Sequence, residues 1–429
     1  MSQFRRRCDL VEKSILTDDF LRQLISVGEV DLLVAVPTYN NIKTVSAVVE
    51  ATRAGLVKHF PRERAVIVNA DGGSRDGTPD IVISSSISDS QGSPGLYTLR
   101  TLHCISTTYA GGPSSETALR TILAAAELVR ARACTVISPG STSADPDRVE
   151  RLLRPVYREN FDFVAPVYRR HKFDGLLVRS LVYPMTRALY GQRIREPYAA
   201  DFAFSDQFCG HFLERQSAAG AATCGAAEIC LAITAVAEGL RVCQSFLGDK
   251  PNTGSDSVDL VDAIRETVGG LFGSLEPYFT SWSGDRPSEE IPTFGAMHET
   301  ADEPMRVQRR RLYQMYRLGV AELEPVLKSI LSPQTLLQVQ AIAGLSEEEF
   351  RYTDELWVKT VYEFAASYHR PAINRDHIIQ ALAPLYRGKV YTFLIENRDA
   401  SSQEVESDIE GLCLTFEQLK PYLLALWNA

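Results

Sequence analysis

The sequence predicts a mostly parallel α/β sheet followed by a helical C-terminal region. Between residues 31 and 165, short apolar runs alternate with helical segments, an order typical of strands joined by helical crossovers. After residue 306 the apolar residues recur only at helical spacing. We therefore expect one sheet with helices packed on it, extended by further helices.

The strands and helices of this sheet are predicted from the spacing of apolar residues. A continuous apolar run that ends at a Pro or Gly is typical of a buried strand, and spacing of three to four residues is typical of a helix. Asp145 and Pro146 suit the first positions of one such helix. In chain order the prediction is strand 31–36, helix 44–58, strand 64–69, helix 114–130, strand 134–137, helix 145–157 and strand 161–165.

Composition shifts divide the chain into four parts. Residues 1–29 form an N-terminal helical segment, and 30–275 form the sheet domain. A stretch rich in Pro, Gly, Ser and acidic residues, 276–305, reads as a linker or loop. Residues 306–429 form the helical C-terminal region.

The charge of the chain restricts its partners. The 429 residues include 45 Lys and Arg against 54 Asp and Glu, a net charge of -9, which argues against a nucleic-acid partner. No uncharged apolar stretch reaches the roughly 18–20 residues of a membrane span. The eight cysteines are scattered and are expected to be reduced thiols. Together these features favour a cytoplasmic protein without a membrane span.

Two strand ends carry the strongest local signal. The first strand runs into Pro-Thr-Tyr-Asn at residues 37–40, and the second into Asp-Gly-Gly-Ser at 71–74. Ligands of open α/β sheets bind outside the carboxyl ends of the strands. An Asp there can accept hydrogen bonds from a nucleoside, and glycines let the backbone approach a ligand. The alternative is that the glycines serve only the turns.

Motifs beyond these turns extend the pattern over residues 30–425. With them, the chain resembles the family-2-like nucleotide-sugar glycosyltransferases of GT-A fold, and among these the mannosylglycerate, glucosylglycerate and glucosyl-3-phosphoglycerate synthases. The motifs are Tyr-Arg-Arg-His-Lys-Phe-Asp-Gly at 168–175, Val-Tyr-Pro at 182–184, Arg-Ala-Leu-Tyr-Gly at 187–191, Asp-Phe-Ala-Phe-Ser at 201–205, Ala-Glu-Gly at 237–239, Asp-Glu-Leu-Trp at 354–357 and Tyr-Glu-Phe-Ala-Ala at 362–366.

The resemblance implies a Rossmann-like GT-A sheet and assigns roles to individual residues. It also implies a homodimer, a UDP- or GDP-hexose as donor and a small hydroxy acid as acceptor. The implied roles are nucleotide contact for Pro37, Thr38, Tyr39 and Asp71, catalysis near the sugar for Asp201 and Glu228, and binding of the acceptor carboxylate for Arg170.

Three motifs of the family are altered in this chain. The resemblance implies Mg²⁺ or Mn²⁺ on the donor diphosphate, held by an Asp-x-Asp and a His. Those positions hold Ser138, Gly140 and Asn252, and the Lys of a glycine-rich loop is Ser115. Hard divalent cations need carboxylate oxygens, which these residues lack. Asp145-Pro146-Asp147 could supply an Asp-x-Asp, but its place at a helix start favours capping.

Without a metal, basic side chains must stabilise the charge on the leaving diphosphate. The candidates are Arg169, Arg170, Lys172, Arg193 and Lys250, whose alternative role is a solvated basic face.

Two hypotheses for function stay open at this stage. The first is a nucleotide-sugar-dependent glycosyltransferase that transfers a hexose to a glycerate-like hydroxy acid. The second is a catalytically impaired pseudo-glycosyltransferase that acts as a binding or regulatory partner.

Overall fold

The computed structural model of the chain describes residues 16–85, 102–140, 145–219, 227–250, 260–295 and 309–429. Within these ranges the strands are β1 Leu32–Thr38, β2 Ala65–Asp71, β3 His103–Thr108, β4 Ala133–Val136, β5 Phe163–Arg169, β6 Phe202–Ser205, β7 Val242–Asp249 and β8 Thr293–Phe294.

Helices alternate with these strands and then replace them. They are α1 Asp18–Val27, α2 Ile42–His59, α3 Thr78–Ser84, α4 Ser115–Leu128, α5 Asp147–Tyr157, a π-helical turn Val178–Val182 that leads into α6 Tyr183–Tyr190, α7 Asp206–Ala219, α8 Ala227–Ala237, α9 Leu260–Leu275, α10 Phe279–Trp282, α11 Arg309–Glu322, α12 Glu324–Ile330, α13 Pro333–Ala343, α14 Asp354–His369, α15 Arg375–Glu396, α16 Ser402–Gln418 and α17 Lys420–Asn428.

The eight described strands form one mostly parallel sheet, in the order β3-β2-β1-β4-β6-β5-β7-β8. Strand β6 alone runs antiparallel, between β4 and β5. This confirms the predicted fold class of a mostly parallel α/β sheet with a helical C-terminal extension. The spacing of apolar residues did not predict β3, β6, β7 and β8.

Both faces of the sheet are buried, which explains the continuous apolar runs of its strands. Leu33 and Ala35 of β1 pack into the same core as α4, and Leu32 and Val34 pack into the core on the other face, with α2 and α5. Successive side chains of a strand point to opposite faces, so two helical layers cover the sheet.

The C-terminal helices share a core with the helices of the sheet. Arg187 of α6 is fully buried and donates two hydrogen bonds to Glu410 of α16, with N–O distances of 2.5 and 2.7 Å. The indole N–H of Trp357 in α14 donates to the Ser180 carbonyl at 2.9 Å. These contacts join the helical region to the helical segment between β5 and β6.

The described residues also test the predictions on membrane spans and cysteines. No helix among the described residues is long and apolar enough to cross a membrane. Cys104, Cys134, Cys209, Cys243 and Cys413 are buried free thiols, as expected, but Cys230 is disulfide-bonded. The prediction of eight reduced thiols is therefore wrong for Cys230.

Candidate functional site

The two strand-end turns lie side by side at the carboxyl edge of the sheet. Strands β1 and β2 pair in parallel with Thr38 opposite Asp71, so both motifs leave the sheet at the same level. The Thr38 hydroxyl donates to Asp71 Oδ1 at 2.8 Å. The two turns thus form one hydrogen-bonded unit.

Asp71 is fully buried, and its carboxylate accepts four hydrogen bonds from its own chain. Besides Thr38, its partners are the Ser74 hydroxyl at 2.6 Å, the Ser74 N–H at 2.7 Å and the Gly73 N–H at 3.0 Å. Because a carboxylate offers about four lone-pair sites, these donors fill its ordinary capacity. Asp71 therefore holds the turn in place, and a nucleoside would reach it only by replacing one of these donors.

Asn69 extends this unit into the sheet. Its amide donates to the Thr38 hydroxyl at 2.7 Å and to the Val36 carbonyl at 2.9 Å, and its oxygen accepts from the Ser106 hydroxyl at 2.7 Å. A chain of polar groups from β3 to β1 therefore supports the turn. The alternation of apolar residues gave no signal for this buried network.

Tyr39 is the exposed residue of the predicted nucleotide site, and the half-buried Gly73 of the next turn has open space beside it. The Tyr39 side chain is 47% exposed and Pro37 is half-buried. Gly73 has φ +91° and nothing within 4 Å of where a Cβ would stand, whereas a Cβ on Gly72 would meet Pro113 Cα at 2.9 Å. The chain itself fills the space beside Gly72, and a ligand has room beside Gly73.

Asp201 lies past the end of β4 and is held by three partners. Its Oδ1 accepts from the Ser138 N–H at 2.9 Å, the Tyr168 hydroxyl donates to Oδ2, and Arg148 Nη2 lies 3.4 Å from Oδ2. Burial, and then the Asp201 charge, raise the pKa of Tyr168 well above its usual value, so the phenol keeps its proton. Asp201 thus ties the end of β4 to β5 and α5.

The residues at the end of β4 do not fit a divalent cation. Ser138 and Gly140 bring no carboxylate, and the nearest described acid, Asp201, is already engaged. Among the described residues no group of three or more His, Cys, Asp or Glu side chains could hold a metal ion. The third family position, Asn252, lies outside the described residues.

The alternative Asp-x-Asp also has local partners. Asp145 accepts from the Asp147 N–H at 3.0 Å and pairs with Arg151 at 3.0 Å. Asp147 pairs with Lys58 and His59, each at 2.7 Å, and these partners lower its pKa to about 2. Asp145 therefore bonds to the first residue of α5, and Asp147 links α5 to the end of α2. The N-cap residue is Pro146 and no side chain caps the helix, so the prediction of Asp145 as N-cap and Pro146 as the first helical residue is wrong by one position.

Arg170 lies at the end of β5 in a compact charged cluster. Its Nε and Nη2 donate to the two oxygens of Glu196 at 2.5 and 2.7 Å, and Nη1 donates to Asp174 at 2.9 Å. The Arg170 and Glu196 side chains are only 8% and 5% exposed. Burial, and then the Arg170 charge, lower the pKa of the neighbouring Lys250.

The other candidate cations are largely engaged. Arg169 pairs with Asp249, and Arg193 lies 3.6 Å from Glu290. Lys172 donates to three main-chain carbonyls after α15, at 2.7 to 3.3 Å. Lys250 has no ion pair within 4.0 Å among the described residues, so of the five candidates it is the one that best suits a ligand phosphate.

Glu228 lies at the start of α8, away from the Asp201 cluster in its contacts. Its Oε2 is buried and has no hydrogen-bond partner in the described part of the chain. Burial raises its pKa, with a smaller contribution from Glu266, and Ser115 at the start of α4 opposes the shift. The structure therefore brings Glu228 to the loop whose Lys is replaced by Ser115.

The sequence interpretation missed the partners that decide what these residues can do. Arg148 and Tyr168 hold Asp201, and Glu196 neutralises Arg170, two of the residues that the motifs singled out. Tyr168 lay inside a quoted motif. Glu196 gave no signal, because only the fold brings residue 196 beside residue 170.

No protein-family model and no curated protein matches the chain. Among solved structures, glucosyl-3-phosphoglycerate synthase from Mycobacterium tuberculosis in complex with phosphoglyceric acid is 17% identical, with 61% of this chain and 84% of that chain covered and a TM-score of 0.39. The same enzyme with Mn²⁺, UDP-glucose and phosphoglyceric acid is 16% identical, with 62% and 84% covered and a TM-score of 0.40. Likeness at this level does not bear on the function of this chain.

Proposed function

We propose that this protein is a nucleotide-sugar-dependent glycosyltransferase that transfers a hexose to a small, glycerate-like hydroxy acid without a divalent metal. The observation that carries the proposal is the convergence of distant motifs at one sheet edge. The turn at 71–74 bonds to Thr38, and Tyr168, Asp201 and Ser138 are joined by hydrogen bonds. Motifs that resemble one family and lie far apart in sequence thus meet where α/β sheets bind ligands.

Donor recognition falls to the turns after β1 and β2. Tyr39 is exposed, and the neighbouring Thr38 is hydrogen-bonded to Asp71. The open space beside Gly73 gives a nucleoside access to the backbone.

Lys250 would stabilise the negative charge on the leaving diphosphate. An ammonium in a dry, preorganised position stabilises a developing phosphate charge more strongly than one in water. Burial and the Arg170 charge lower the pKa of Lys250, and a bound phosphate would oppose this shift by favouring the charged form. Asp201 and Glu228 would lie near the sugar, and Arg170 would hold the acceptor carboxylate.

A transfer assay tests the proposal directly. The protein is incubated with UDP-glucose or GDP-mannose and D-glycerate, in EDTA or in Mn²⁺, and products are identified by mass spectrometry. The expected result is a hexosyl-glycerate in EDTA that Mn²⁺ does not increase and that Lys250→Met abolishes. Absence of product under every condition would overturn it.

The second candidate is a pseudo-glycosyltransferase that binds or regulates a partner. The observation that favours it is the engagement of Arg169, Arg170, Lys172 and Arg193 by internal acids or carbonyls. It predicts nucleotide binding without turnover in the same assay. A homodimer of this chain and a cytoplasmic location belong to either candidate, and sedimentation velocity tests the dimer.

A further inference from the structure

The Arg170 guanidinium already has internal carboxylate partners on both of its sides. Glu196 takes the Nε–Nη2 edge with both carboxylate oxygens, at 2.5 and 2.7 Å, and Asp174 takes Nη1 at 2.9 Å. The backbone of Gly175 packs against the guanidinium, because a Cβ at this position would lie 2.9 Å from Arg170 Nη1. The Tyr168 ring lies 5.6 Å below the guanidinium carbon.

The Glu196 carboxylate stands where a small carboxylate ligand would bind. Two parallel N–H···O bonds to one carboxylate are the arrangement in which arginine recognises such a ligand. A guanidinium has five N–H donors, and three of Arg170 are used. The two that are left lie on Nη1 and Nη2, so the side-on edge is closed to any external acid while Glu196 stays in place.

The loop that carries Glu196 is fixed from outside the cluster. The Arg195 N–H donates to the Gln244 side-chain oxygen of β7 at 2.7 Å, and the Gln244 amide donates to Thr293 of β8 at 3.1 Å. Glu196 itself is 5% exposed, whereas the Asp174 side chain is 37% exposed. A ligand would therefore approach from the Asp174 side.

The charges of the cluster balance only because Glu196 is part of it. Arg170 and Lys250 bring two positive charges, and Asp174 and Glu196 bring two negative charges. Removing one buried negative charge leaves a net positive pocket, and buried charges that lose their partner are costly unless another ion replaces it. A small carboxylate supplies that replacement.

We propose that Glu196 is an internal carboxylate that occupies the acceptor-carboxylate position on Arg170 and thereby sets the affinity of the site for a hydroxy acid. This inference rests on the acceptor role of Arg170 in the proposed function. Glu196 touches Arg170 and not the reacting atoms, so it is a specificity-determining residue. An external hydroxy acid binds in competition with it.

Titration calorimetry with D-glycerate tests the inference, with glycerol as a probe of equal size that lacks the carboxylate. Glu196→Gln keeps the shape of the side chain and removes its charge. The expected result is at least tenfold tighter D-glycerate binding than in the wild type, with glycerol unchanged. Glu410→Gln is the matched control, because both Glu410 oxygens also accept hydrogen bonds from an arginine, Arg187. This variant should bind D-glycerate no more tightly than the wild type.

The double variant Glu196→Gln with Arg170→Met identifies the cation. The gain should disappear, because no guanidinium is left to bind. A folded Glu196→Gln protein that binds D-glycerate no better than the wild type would overturn the inference, as would a gain that survives Arg170→Met. Should Glu196→Gln fail to fold, Asp174→Asn on the exposed side must show a smaller gain, and its absence would also overturn the inference.

These outcomes separate this inference from the proposed function. Tighter D-glycerate binding without hexose transfer would support the role of Glu196 and contradict the transferase. Hexose transfer by the wild type without any gain in Glu196→Gln would do the reverse.

Discussion

The two halves of the carboxyl edge of the sheet differ in what their polar groups are free to do. The donor half comprises the turns at 37–40 and 71–74, and the transfer half comprises Ser138, Asp201 and the Arg170 cluster. The donor half keeps the residues that the family resemblance expects, with Tyr39 exposed and open space beside Gly73. In the described part of the transfer half, no group of carboxylates could hold a metal ion, and most charges are paired with one another.

This difference separates recognition from chemistry. Hydrogen bonds within a turn can position backbone groups for a nucleoside without any free charge. Transfer needs charge stabilisation that is stronger in the transition state than in the ground state. Under the proposed function, the turns of the donor half meet the first requirement, and Lys250 is the described cation proposed to meet the second.

The largest effect should come from Asp201→Ala in the transfer half. Losing this carboxylate leaves Arg148 and the Tyr168 hydroxyl without their buried partner, and breaking a buried ion pair costs about 3–5 kcal/mol. Urea denaturation would measure the change in the free energy of unfolding. Asp399→Ala, at a side chain that is 95% exposed, is the control and should change it by less than about 0.5 kcal/mol. A loss below about 1 kcal/mol for Asp201→Ala would show that Asp201 does not hold the β4 end.

Asp71→Ala should have the next largest effect, in the donor half. Four donors lose their acceptor, and leaving buried donors unsatisfied costs about 1–3 kcal/mol. Nucleotide binding should fall with stability because the turn loosens. Ser74→Ala removes only one of the donors and should cost about 1 kcal/mol. Equal losses in the two variants would contradict the central place of Asp71.

Glu228 gives a smaller, pH-dependent effect. Its folded pKa lies above the usual 4.5, so the protonated form is favoured in the folded state. Stability linked to this group is therefore full below about pH 4.5 and is lost as the pH rises through the folded pKa. Glu228→Gln should be more stable than the wild type at pH 8 and lose that advantage at pH 4. Urea denaturation at the two pH values measures this, and a constant difference would contradict the assignment.

The smallest effect is expected for Asp147→Asn. Its pKa, lowered to about 2 by Lys58 and His59, means that its contribution to stability is present above the usual 3.8 and is lost as the pH falls towards 2. The pair is partly exposed, so the loss at pH 7 should be under about 1 kcal/mol. Nucleotide binding should stay unchanged in calorimetric titration, since this acid serves α5. Weaker nucleotide binding by Asp147→Asn would contradict this assignment and favour Asp147 as a metal ligand.

The sequence predicted the sheet and the donor half better than the transfer half. Apolar runs at 31–36 and 64–69 foretold β1 and β2, and the turns that follow lie together because parallel neighbours end at the same edge. The four missed strands are short, or they mix polar with apolar residues. Glu196 and Arg148 could not be predicted as partners of Arg170 and Asp201, because the pairing of charges that are distant in sequence depends on the fold.

Calorimetric titration with UDP-glucose, GDP-mannose, UDP and GDP, in EDTA and in Mn²⁺, tests the contrast between the two halves most directly. An intact donor half beside a transfer half without metal ligands predicts micromolar binding of at least one nucleotide, with the same affinity in EDTA and in Mn²⁺. Binding that tightens tenfold or more with Mn²⁺ would contradict the account of the transfer half. Absence of binding by all four ligands would contradict the account of the donor half.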